Sequence, residues 1–168
     1  EAVFLACEGF LTETYLTTKL AETIHNMEQA VTIDLKPQLT RLPLSMQAAA
    51  LFDAAIAAYL LNPLKGSYEA EDLARDYLDW MVPSKSELLG KMPLHQAAVD
   101  QREDFLRYVC RMAAIAYQAL PVLEERLRAE DMRKLFTEVE MPLVFTLRHM
   151  EDAGIGVERE ALASYGSQ

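Results

Sequence analysis

The strongest constraint on the fold is a shortage of strands. Two short runs look like buried β-structure: Val3-Phe4-Leu5-Ala6-Cys7, and the β-branched Val31-Thr32-Ile33. Between them, Leu16, Leu20 and Ile24 repeat every four residues, with Thr12, Glu13 and Thr14 near the start, which predicts a helix over 12 to about 26. Strand, helix, strand at this spacing predicts a right-handed βαβ unit with parallel strands. A parallel pair alone is not a stable sheet. Further strands are therefore expected ahead of Glu1, or the sheet is unusually small. A chain that starts at Glu1 rather than Met is itself expected to be part of a longer one.

Beyond Leu35 the pattern is helical. "LFDAAIAAYLL", residues 51–61, is Ala-rich and apolar nearly all round, so it predicts a buried helix. Pro63 and Gly66 end it. Ser67 is a candidate cap for the following helix, whose first turn carries Glu69, Glu71 and Asp72, acids that the helix dipole favours there. Ser84-Lys85-Ser86-Glu87 has the form of a capping box for a short helix ending at Gly90. From Met92 to about Glu130 the chain predicts one or two long helices. Phe105, Val109, Met112, Ala116 and Ala119 form a stripe there, and Pro121 is expected to kink or restart the helix. A further helix is predicted from about Met132 to Asp152, with Leu135, Val139, Leu143, Leu147 and Met150 on one face. Pro142 interrupts it by removing the bond to the Glu138 carbonyl. "AGIGVE" is a turn, and Glu158 starts a last helix.

Composition narrows the function. The 168 residues are 51% hydrophobic and 25% charged, an ordinary globular balance with room for one domain or one plus part of another. Nothing approaches the ~18 apolar residues of a membrane span, and the start lacks a signal-peptide pattern. The net charge of -10 repels phosphate backbones, which argues against strong independent nucleic-acid binding. Cys7 and Cys110 stand far apart without a CxxC or a nearby His pair, so they form neither a zinc site nor a disulfide framework. A cytoplasmic origin is the default for such cysteine usage.

The candidate chemistry is carboxylate chemistry. A two-metal nuclease needs several acids converging on ions roughly 3.5–4 Å apart. Asp34, at the end of a strand, and Asp53, in the first turn of the apolar helix, are the natural candidates. Each also has a structural explanation. The dipole favours Asp53 near a helix N-terminus, and Asp34 can cap the helix that follows it. His25, His95 and His149 are scattered, without ligand spacing. No nucleophile elbow or Gly-rich phosphate loop is present. The Met residues fall mostly on helical stripes and fit core filling, and Tyr108 reads as a half-buried core residue with its hydroxyl at the rim.

The stretch "LFTEVEMPLVFTLRHMEDAGIGVEREAL" resembles bacterial family A DNA polymerases, the DNA polymerase I group. It keeps the "E-x-E-M-P-L" start, a helix ending Met-Glu, then "G-I-x-V" and a new helix. "LFDAAIAAYLLNPLKGSYEAEDLARDYL" resembles a second segment of the same family, and the likeness covers nearly all of the chain from Asp34 onward. It implies a helix-dominated α/β, ribonuclease H-like 3'-5' exonuclease fold, here partial, with a small parallel or mixed sheet and many helices. It also implies a division at 1–131, exonuclease-like, and 132–168, the start of the polymerase domain.

The resemblance further implies that the proofreading site is degenerate. The family's first acidic motif has no counterpart here and would lie ahead of Glu1. In "DLKPQ", Asp34 takes an Asn position and Gln38 a metal-binding Asp position. Asp53 matches the Asp of a Phe-Asp pair. In "YVCRM", Tyr108 is kept and Met112 replaces a metal-binding Asp. Amide and thioether groups are poor partners for Mg²⁺, which takes hard oxygens. The expectation is a non-catalytic structural module with no metal or cofactor of its own. It would pack on the polymerase domain of the same chain, as a monomer, and meet DNA only through the full-length enzyme, whose synthesis would use Mg²⁺. The alternatives are an active metal-dependent exonuclease using Asp34, Asp53 and acids outside this chain, or an acidic helical module that binds another protein.

Overall fold

The computed structural model describes residues 22–40 and 50–166. The expected strand over 3–7 and most of the helix from 12 lie outside these residues. The last turn of that helix is helical over 22–25, with Ile24 buried.

Strand β1 (Gln29–Thr32) is followed by a single helical turn, α1 (Leu35–Gln38), and by strand β2 (Ala50–Asp53). The two strands pair in parallel, with Val31 opposite Phe52 and Thr32 opposite Asp53. A parallel two-stranded sheet in a mostly helical chain matches the helix-dominated α/β expectation. Its second strand was not foreseen: residues 51–53 are strand, not the opening of the apolar helix. The physical reason is Asp53. Its side chain accepts from Ala55 N–H and Ile56 N–H and so starts helix α2 (Ala54–Leu61) at the residue after it, three later than expected. Leu51 and Phe52 ahead of it are then free to pair with β1. Helix α2 is buried on one face rather than all round: Ala54, Ala57 and Ala58 are 0–2% exposed, whereas Tyr59 is 45% exposed.

Helix α3 (Ala70–Leu78) carries Glu71 and Asp72 in its first turn, but Glu69 rather than Ser67 occupies the cap position. Ser67 Oγ instead donates to Asp72 Oδ2 at 2.7 Å. The capping box around Ser84 and Glu87 forms in full and opens α4 (Lys85–Leu89), which stops at Gly90. The next region divides into two helices, α5 (Leu94–Asp100) and α6 (Arg102–Ala129). Pro121 neither stops nor restarts α6. It is exposed, so the missing bond to the Tyr117 carbonyl falls on the solvent side.

Helix α6 is the spine: α2, α3, α4, α5 and β1 all pack on it. Its most buried line is Ile115, Ala119, Leu123 and Leu127. Of the predicted stripe, Ala116 and Ala119 are buried, while Phe105, Val109 and Met112 are half-buried. A smaller apolar cluster of Leu89, Ala97 and Tyr108 lies toward the other end of α6, and Met112 packs against both clusters.

The C-terminal helical run has three parts: α7 (Arg133–Leu135), a π turn (Phe136–Glu140) and α8 (Met141–Ala153). Met141 N–H reaches the Phe136 carbonyl, five residues back. This wider turn places Pro142 in the first turn of α8, where its absent N–H is harmless. The wide turn also rotates the buried face. Phe136, Met141, Val144 and Phe145 enter the main core, and the Phe136 ring lies 4.7 Å from that of Phe52. The expected stripe of Leu135, Val139, Leu143, Leu147 and Met150 faces outward, 38–63% exposed. Helix α9 (Arg159–Tyr165) starts after Glu158, as expected. Among the described residues no helix is long and apolar enough to cross a membrane.

Candidate functional site

The corner where both strands end brings three of the five singled-out positions together. Asp53 is 1% exposed and is the buried charged side chain among the described residues. Its Oδ2 accepts from Leu35 N–H at 2.6 Å. Its Oδ1 accepts from Asp34 N–H at 3.2 Å, Ala55 N–H at 2.9 Å and Ile56 N–H at 3.2 Å. One carboxylate therefore serves the N-termini of α1 and α2 at once, where orphan N–H groups and both dipoles favour negative charge. Burial pushes the Asp53 carboxyl above the usual carboxylate range, and the four N–H donors pull against that rise.

Asp34 sits at the cap position of α1 but makes no side-chain capping bond. Its backbone is left-handed, with φ 58°, a conformation that Asp tolerates better than most residues. Partial burial raises its carboxyl pKa, and the Lys36 ammonium opposes the rise. The Gln38 side chain turns back over the same turn. Its Nε2 donates to Thr32 Oγ1 at 2.5 Å, and lies 3.1 Å from the Ile33 carbonyl and 3.2 Å from the Asp34 carbonyl. A carboxylate in that place would set its lone pairs against two carbonyl oxygens.

Tyr108 and Met112 lie one turn apart on α6. Tyr108 is 8% exposed within the smaller cluster, and Met112 joins the two clusters. Sequence reasoning missed Thr32, which receives the Gln38 amide, and the backbone N–H groups that occupy Asp53. It also missed Lys36, whose Nζ meets Glu151 of α8 at 2.6 Å. Only the acidic residue ahead of "AAIAAYLL" carried a usable signal, that of a helix cap. His25, His95 and His149 are all exposed. Among the described residues no three His, Cys, Asp or Glu side chains gather as an ion would need.

Comparison with known proteins gives one kind of relative. The chain is 32% identical over 128 residues to DNA polymerase I of Streptococcus pneumoniae, covering 76% of this chain and 14% of that protein. It is 34% identical over 118 residues to DNA polymerase I of Bacillus subtilis, covering 70% and 13%. It is 29% identical over 115 residues to DNA polymerase I of Treponema pallidum, covering 68% and 11%. The chain thus spans about one-seventh or less of the length of these relatives. No family model and no solved structure matches it.

Proposed function

This chain is related to bacterial DNA polymerase I, a family A polymerase, and from that premise we propose that it is a non-catalytic, exonuclease-like structural module of such an enzyme. The fold is a partial ribonuclease H-like one. Residues 1–131 belong to the degenerate nuclease domain and 132–168 begin the polymerase domain. The observation that carries the proposal is the state of Asp53. Both its oxygens accept from backbone N–H groups and the side chain is 1% exposed, which supports a structural role for this acid. Gln38 and Met112 supply an amide donor and a thioether where the family places metal-binding acids. Neither suits Mg²⁺.

The partner is the polymerase domain of the same chain, and the outward apolar face of α8 is the surface offered to it. Five large side chains on one helical run, 38–63% exposed, form a patch that an isolated monomer seldom presents. The parent, a bacterial cytoplasmic monomer, would extend primers on a DNA template with Mg²⁺, and this module would meet DNA only as part of it.

The test is metal-dependent release of nucleotides from single-stranded DNA. With Mg²⁺ or Mn²⁺ the 168-residue chain is expected to release none above a no-metal control. Release that rises with either metal and disappears in Asp34→Asn would overturn the proposal. That variant changes a side chain without a capping bond, and Asn tolerates the left-handed backbone there, so the fold is expected to stay in place.

A further inference from the structure

We infer that Asp53 is an internal latch: its carboxylate locks the turn between β1 and α1 onto the start of α2, so that the two segments open and close together. The inference is independent of whether the corner was ever a nuclease site. Its basis is the origin of the four donors. Two, Ala55 and Ile56, are local to Asp53, whereas Asp34 and Leu35 lie 19 and 18 residues away in sequence.

The left-handed Asp34 followed by the first helical residue curls the backbone. Its two successive N–H groups then face one acceptor, the geometry of an anion-binding nest. Here the anion is a side chain of the protein itself. The parallel register sets Thr32 opposite Asp53 and so brings nest and carboxylate together.

Among the described residues, the other ties of α1 are few. A single four-residue turn is not self-sustaining. The Asp34 side chain does not cap it. Its apolar anchors are Leu35, 2% exposed, and the flanking Ile33 and Leu39, partly buried against the same core; none of them ties the backbone of the turn to α2 by a polar contact. Its outer tie is Lys36–Glu151, whose side chains are 39% and 50% exposed, and ion pairs that wet are weak. The Gln38 amide closes back on Thr32, Ile33 and Asp34, so it braces the turn without fastening it to β2 or α2. Asp53 is therefore the polar link that fixes this turn to α2, and Gln38 moves with the turn when the link opens.

Native-state hydrogen exchange on the 168-residue chain tests this. In the wild type, the amides of Asp34, Leu35, Ala55 and Ile56 are expected to exchange through one shared opening. In Asp53→Asn the amide nitrogen faces one of the donors, and exchange at all four sites should rise on the order of 10- to 100-fold, as for lost buried hydrogen bonds. Amides of Ile115, Ala119 and Leu123 in α6 should keep their protection. Separate openings in the wild type would overturn the latch. So would a rise in the variant confined to Ala55 and Ile56 with Leu35 unchanged. The wild-type measurement decides the point alone if the variant does not fold.

Discussion

Two regions invert the usual rule of charge outside and grease inside. At the strand ends, a carboxylate is almost wholly enclosed. Along the outer side of the C-terminal helical run, Leu135, Val139, Leu143, Leu147 and Met150 face outward. The cost of the first inversion is offset in part, because both oxygens of Asp53 accept from backbone N–H groups that would otherwise be unsatisfied. The second has no such compensation within the described residues. Burial alone thus marks neither a site nor a core. What a buried charge touches, and what an exposed apolar face lacks, is the informative part.

The sharpest way to break this contrast uses neighbouring residues on opposite faces. Phe136→Ala removes a ring packed on Phe52 and should destabilise the chain by about 3–5 kcal/mol, whereas Leu135→Ala should change it by about 0.5 kcal/mol. Urea unfolding of both variants gives the comparison. Equal losses would mean that the outer face is already covered in the isolated chain.

A smaller contrast comes from placing the same charge in the two regions. Met112→Asp puts a carboxylate between two apolar clusters and should cost about 2–4 kcal/mol. Leu147→Asp, on the exposed stripe, should cost under about 1 kcal/mol. A Met112→Asp variant as stable as the wild type would make that position wet and more site-like than the packing indicates.

The smallest effect is in pH dependence, where two acids should act with opposite sign. Burial raises the folded-state pKa of Asp53 above its ordinary 3.8. Its charged form therefore costs stability at neutral pH, and that cost is relieved as pH falls through the raised value toward 3.8. Asp72 is lowered despite burial, because Ser67 and Arg75 bond its carboxylate and the cations Lys65 and Arg75 lie near. Its contribution is present above 3.8 and fades as pH falls below it. Stability measured from pH 7 to pH 3 should then show the wild type gaining on Asp53→Asn as acid is added. Its lead over Asp72→Asn, about a few tenths of a kcal/mol for so partly exposed an ion pair, should hold down to 3.8 and begin to narrow below it. A gap of the same sign for both would remove the distinction between the enclosed carboxylate and the surface one.

Features with local causes were legible in the sequence. The capping box at Ser84 and Glu87 and the stop at Gly90 depend on contacts a few residues long, and the helix start after Glu158 follows a local turn pattern. Pro142 was legible as an interruption, but not as the cause of a π turn, because the chain could have kinked there instead. Strand β2 was hidden because Leu51 and Phe52 suit a helix or a strand equally, and only pairing with Ala30 and Val31 decides between them. The corner was half legible. An acid before an apolar helix marks a cap, but nothing local says that the same acid also holds a turn 18 residues upstream.

By itself the sequence determined a helix-dominated chain with little sheet, the caps and breaks along it, and its kinship with bacterial DNA polymerase I. The tertiary structure decided which face of each helix is buried and what each acid does. In the run from Leu135 to Met150 both faces carry large apolar residues, so periodicity cannot choose between them. The choice went to Phe136, Met141, Val144 and Phe145 because the π turn aims them at Phe52 and its neighbours. Asp53 came to bridge two segments only once the parallel register set it against the N–H groups of Asp34 and Leu35.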